Sequence, residues 1–176
     1  MTSLLSPGWR AHPDCPDHLR YVLEKAVNAY PIEWLEEPAT GELFDSVDGC
    51  KRRLIAYSLS QGFDVVISHS TKTPQLNMTF SCCHHGKETR NTRKLPPMIE
   101  RNEEGEVIGA RRRDVTIVRQ TDCPWACKLS YKSIGKRGGG EKGLILTVKS
   151  LSHGDTYPLA SNPLVYQRHR ERIPEY

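Results

Sequence analysis

Apolar residues recur at helical spacing twice in the first third of the chain, and later stretches alternate apolar with polar. Leu19, Val22, Leu23, Ala26 and Val27 share one helical face, which predicts a helix with Asp17 as N-cap running through about Tyr30, where Pro31 breaks it. A second helix follows an N-cap at Asp45 or Ser46, with Val47, Cys50, Leu54 and Tyr57 three or four residues apart. Lys51, Arg52 and Arg53 are placed on its opposite side, and Gln61-Gly62 supplies the stop. Strand patterns occupy Phe63 to Ser68, Leu76 to Cys83, Val115 to Val118, Trp125 to Tyr131 and Leu144 to Leu151. Two helices followed by four or five strands predict an α+β domain with an antiparallel sheet.

The segments between these elements divide the chain. Residues 1–40 form an arm rich in Pro, Gly and Ser, the first helix and an acidic stretch that begins at Glu33, Glu36 and Glu37 and reaches Glu42. Residues 41–160 form the domain proper. Within it, about 88–114 is a charged insertion broken by Pro96-Pro97, with Glu103, Glu104 and Gly105 at its tip, and Lys136 to Gly143 reads as a hairpin tip. Residues 161–176 form a basic tail, irregular from Pro158 onward and ending in the cluster Arg168 to Arg172.

Composition adds a need for a staple. Of 176 residues, 37% are hydrophobic and 7% aromatic, enough for only a modest core. Charge is uneven: residues 1–80 carry 7 Lys+Arg against 10 Asp+Glu, and residues 81–176 carry 18 against 11, or −3 and +7. A basic C-terminal part suits a polyanion such as nucleic acid. Met1 to Gly8 has neither a basic n-region nor an apolar run, and no stretch approaches the ~18 apolar residues of a membrane span. The six cysteines are therefore expected to be reduced thiols, for which clustering favours a metal over disulfides.

Three possible ligands sit at strand ends: Cys82, Cys123 just before Pro124, and His153. Their spacing alone is equally that of small buried cysteines and a loop histidine. The sequence around them adds to this. Leu43-Phe44-Asp45-Ser46, Lys51 to Tyr57, Gln61 to Val65, Thr79-Phe80-Ser81-Cys82 with Gly86-Lys87, Thr121 to Trp125, Leu146-Thr147-Val148 leading to His153, and Asn162-Pro163-Leu164 with Tyr166 before His169-Arg170 occur in that order. Together they resemble the far-red-impaired-response type DNA-binding domain of Mutator-like transposases and their domesticated relatives, many of them fungal, over roughly residues 40 to 170. That family looks related to the WRKY and glial-cells-missing domains, in which zinc staples a sheet.

The resemblance implies Zn²⁺ held by Cys82, Cys123 and His153, with Asp155 where the family carries a second histidine. Cys127, Cys83, His84 and His85 are rivals for that fourth place, Cys127 because positions i and i+4 share a strand face with Cys123. It also implies double-stranded DNA as partner, read in the major groove by a sheet edge. The contact residues are then expected at Ser68, His69, Ser70, Thr71 and Lys72. Lys87, Arg90, Arg111, Arg112 and Arg113 are expected to bind phosphates, with Lys128 and Lys132 as additions. A transcriptional regulator or transposase-derived binder in the nucleus is expected. The alternative is a domesticated protein-interaction module of the same fold, using the acidic N-terminal part. An enzyme is not expected. Cys83 to Arg90 has one residue too many for a Cys-x₅-Arg phosphatase loop, and Gly138 to Gly143 lacks the Lys-Ser/Thr of a phosphate-binding loop.

Overall fold

The computed structural model describes residues 8–72, 75–86, 98–111, 122–133, 142–154 and 159–173. Helix α1 spans Asp17–Asn28 and α2 spans Val47–Gln61. A five-stranded antiparallel sheet is built from β1 (Leu43–Phe44), β2 (Val65–Thr71), β3 (Asn77–Cys82), β6 (Ala126–Ser133) and β7 (Lys142–Ser150), in the order β1-β7-β6-β3-β2. Strands β4 (Met98–Arg101) and β5 (Val107–Arg111) pair only with each other, within the predicted insertion. The fold is therefore α+β, as the hydrophobic pattern predicts.

Helix α2 forms where its signals place it. Ser46 Oγ accepts the Gly49 amide at 3.0 Å, and Gly62 closes the C-terminus at φ 84°. Only glycine fits there, since a Cβ would lie 2.1 Å from the Ala160 carbonyl oxygen. One face of α2 packs Cys50, Leu54 and Tyr57 onto the sheet, against Phe63, Phe80, Trp125, Cys127, Leu129 and Leu146. Each buried aromatic in this layer contributes about 1.5–3 kcal/mol of apolar transfer. Behind it lies a second cluster, where Leu59 of α2 meets Leu23 and Val27 of α1, Cys15 of the arm, and Leu164 and Ile173 from the C-terminal segment.

Several expectations need correction. Pro16, not Asp17, is the N-cap of α1, and Asp17 is its first helical residue. Arg53 is not on the solvent side of α2: it is 4% exposed and donates to the carbonyls of Trp34 (2.8 Å) and Glu36 (3.0 Å) and to Glu42 Oε1 (3.3 Å). Residues from Pro158 onward are not all irregular. A 3-10 turn at Pro163–Val165 leads into helix α3, Gln167–Arg172, which buries His169. Its arginines are engaged: Arg168 and Arg172 approach Asp64 at 4.0 and 3.8 Å, and Arg170 donates to the Leu164 carbonyl. Lys142 and Gly143 belong to β7 and not to a hairpin tip. The strand expected at Val115 to Val118 lies outside the described residues.

Candidate metal centre

The sheet's antiparallel order brings the end of β3, the start of β6 and the end of β7 to one edge of the molecule. Cys82 ends β3, Cys123 lies three residues before β6, and His153 lies three residues after β7. Their ligand atoms all fall within 4.8 Å of one another. The approach of Cys123 is set by local backbone. Asp122 takes a left-handed conformation (φ 55°), and its amide and that of Cys123 donate to the carbonyls of Gly86 (2.9 Å) and His84 (3.2 Å). This ties the Cys82–Gly86 turn to the entrance of β6.

The three donors line a cavity of about 10 Å³ with Phe63, Leu159 and Tyr166 among its walls. Both cysteines are 2% exposed. His153 is held against aromatic faces, edge-to-face on Phe63 at 4.3 Å between centroids and stacked on Trp125 at 6.0 Å and 14°. Its Nδ1 lies 3.4 Å from Cys123 Sγ. Donors on a tetrahedral zinc, at ~2.3 Å for sulfur and ~2.0 Å for nitrogen, stand roughly 3.5 Å apart, a separation that the Cys123–His153 pair matches.

Electrostatics prepare the donors unequally. Burial, with His84 adding to it, pulls His153 below the usual histidine range, which favours the neutral imidazole that a metal ligand must be. The Cys82 thiol is pushed up, first by its hydrogen bond with the Cys83 side chain and then by burial, while the same bond lowers Cys83. A cation binding here must displace the Cys82 proton. All six cysteines carry free thiols.

Two of the rivals for a fourth ligand are placed elsewhere. Cys127 points under α2 in the layer with Cys50 and Leu54, because β6 begins at Ala126 and no strand joins Cys123 to Cys127. Burial there pushes its thiol up to about 12. His85 gives its Nδ1–H to the Cys123 carbonyl at 2.7 Å. Asp155 lies outside the described residues.

Of the expected contact residues, Ser68 to Thr71 lie within β2, the free edge of the sheet, and His69, Ser70 and Lys72 are exposed. A bulge between Ile67 and His69 re-aims this stretch. Arg111 ends β5, in the separate hairpin, while Lys87, Arg90, Arg112 and Arg113 lie outside the described residues. Lys128 and Lys132 stand on β6. Sequence reading missed Lys142 and Lys149, both exposed on β7, and the signal was there. The strands of the five-stranded sheet contain four lysines and not one Asp or Glu. Among the described residues no helix is long and apolar enough to cross a membrane.

Compared with models of protein families, with curated proteins and with solved structures, the chain matches none.

Proposed function

We propose that this protein is a zinc-stapled DNA-binding domain that grips the duplex with the sheet end opposite the metal centre. The observation that supports it most is where the sheet puts its charge. Antiparallel pairing sends the end of β2, the end of β6 and the start of β7 to the same end, which collects His69, Lys72, Lys132 and Lys142. No strand of that sheet carries a carboxylate to oppose a phosphate. At ~3.3 Å per residue, this end lies about 17 Å along β3 from Cys82. Zinc then acts on structure, holding three strand ends in register, and not in a reaction. The exposed, bulged β2 edge is the element narrow enough for the major groove, and the lysines neutralise phosphates beside it.

The role that follows is regulation or transposon-associated binding in the nucleus, in keeping with the resemblance to the Mutator-like transposase domains. Fluorescence anisotropy of the zinc-loaded full chain on random duplex DNA tests it across a salt series. Expected is an affinity that falls linearly on a log–log salt plot, and a slope reduced by about one for each of Lys72→Ala, Lys132→Ala and Lys142→Ala. Absence of binding at low salt would reject the reading and favour the protein-interaction module. The unpaired edge of β2, with Ile67 45% exposed, suits an added strand in that case.

A further inference from the structure

We infer that His84 supplies the fourth donor of the metal centre, making the set Cys82-x-His84, Cys123 and His153. The inference rests on reading those three residues as a metal site, and it settles a choice that the chain order leaves open. Two thiolates and one imidazole fill three corners of a tetrahedron, and a closed structural zinc site needs a fourth protein donor.

The geometry favours His84 over its neighbours. Its imidazole lines the same small cavity as Cys82, Cys123 and His153, whereas Cys83 and His85 do not. It is carried on the turn that leaves Cys82, fixed by the His85 amide on the Cys82 carbonyl at 2.9 Å and by the Cys123 amide on its own carbonyl at 3.2 Å. The backbone that positions it is therefore bonded to two other ligand residues. The His85 ring is bonded to the Cys123 carbonyl, and the Cys83 thiol, hydrogen-bonded to the Cys82 side chain, does not line the cavity.

The ring also has an outer partner. His84 Nε2 lies 3.4 Å from the Tyr166 hydroxyl, and the two rings meet at 6.1 Å and 61°. Metal-bound histidines characteristically use one ring nitrogen for the ion and the other for such an oxygen, which fixes tautomer and orientation. In this arrangement Nδ1 serves the metal, Nε2–H donates to Tyr166, and Tyr166 is a positioning residue. His84 is not among the residues whose donor atoms all fall within 4.8 Å of one another, so ligation by His84 requires its ring to turn inward about its side-chain bonds. The C-terminal segment, through Tyr166, then becomes part of the metal site's outer shell.

Cobalt(II) titration of the full chain tests this, read by the visible ligand-field bands, which are intense for tetrahedral cobalt and weak for five- or six-coordinate ions. Wild type and Asp155→Ala should both give the intense spectrum. His84→Ala should lose intensity and bind at least tenfold more weakly, and Tyr166→Phe should weaken binding about tenfold. Because a ligand variant can misfold, histidine-ring nitrogen NMR of the wild type during zinc titration provides an independent readout. The Nδ1 signal of His84 should shift as a metal-bound nitrogen while Nε2 stays protonated. An unchanged spectrum for His84→Ala, an unshifted His84 ring, or loss of tetrahedral bands in Asp155→Ala would overturn the assignment while leaving the three-residue centre intact. No cobalt binding by the wild type would overturn the centre itself, and His84's role with it.

Discussion

The carbonyl oxygen of Phe63 accepts a hydrogen bond from His169 Nε2 at 2.7 Å, joining residues 106 positions apart. The side chain of the same phenylalanine walls the cavity of the candidate metal centre against His153. One residue thus couples the C-terminal helix to the end of the sheet that carries Cys82, Cys123 and His153, through its backbone on one side and its ring on the other.

The burial of His169 makes stability depend on pH. Burial pulls His169 below the usual histidine range, with the Phe63 carbonyl and Asp64 pulling the other way. The unfolded chain protonates an ordinary histidine near pH 6.5, and the folded chain resists until lower pH, so in that window the unfolded state binds more protons. Stability is fully present above about pH 6.5 and is lost as the pH falls through the folded value. Urea titrations from pH 7.5 to 5 should show this decline, and His169→Gln should flatten it. A His169→Gln profile as steep as wild type would refute the assignment.

Arg53 should be among the least replaceable residues of α2. It is buried, and it serves two carbonyls and one carboxylate. Arg53→Ala leaves those acceptors unpaired and should cost about 3 kcal/mol in chemical denaturation. Arg53→Lys keeps the charge but not the planar fork, and should recover only part of the loss. Arg52→Ala, on the exposed side, should cost under about 0.5 kcal/mol.

Gly62→Ala meets both a left-handed backbone and the Ala160 carbonyl, whose own amide donates to the Gly62 carbonyl at 2.7 Å. The strained conformation alone costs about 1–3 kcal/mol, and the steric conflict adds to it. The melting temperature should fall, with proteolysis increasing between Leu159 and Ser161 as that strap loses its anchor. Gly105→Ala, where a Cβ meets nothing within 4 Å, should cost less despite its similar φ of 84°.

Zinc should stabilise the fold in proportion to the logarithm of its free concentration, by about 2.7 kcal/mol at a hundred times its dissociation constant. Calorimetry with and without a chelator measures this. Cys123→Ser should abolish the zinc response. Cys127→Ser should lower stability by about 1–3 kcal/mol through a hydroxyl placed in the apolar layer, yet leave the zinc increment unchanged. Loss of the increment in Cys127→Ser would return that residue to the ligand set.

What could be read in the sequence follows from how local each signal is. Helix α2 was legible because its cap, periodicity and terminal glycine all lie within seventeen residues, from Ser46 to Gly62. The three donors were legible as positions at strand ends, although the order of the strands across the sheet makes them neighbours. Arg53 was misplaced because its partners Trp34 and Glu36 lie at and just beyond the end of a three-residue 3-10 turn, Ile32–Trp34, too short to leave a periodic pattern. Helix α3 has a run of charged residues that hides it. Only His169 faces inward there, and its reason, the Phe63 carbonyl, is distant in sequence. The two-residue strand β1 is too short to leave a pattern and exists because Leu43 and Phe44 pair with Ile145 and Leu144.

The sheet's polarity separates two kinds of change. Every proposed ligand lies at one end of β3, β6 and β7, while Lys72, Lys132 and Lys142 lie at the other. Substitutions at the lysine end leave the backbone bonds around Cys82 and Cys123 untouched, so that end is free to diversify without endangering the fold. A combinatorial library over positions 69–72, 132 and 142 would sample new binding preferences on a constant frame, which gives this small sheet a use as an engineering scaffold.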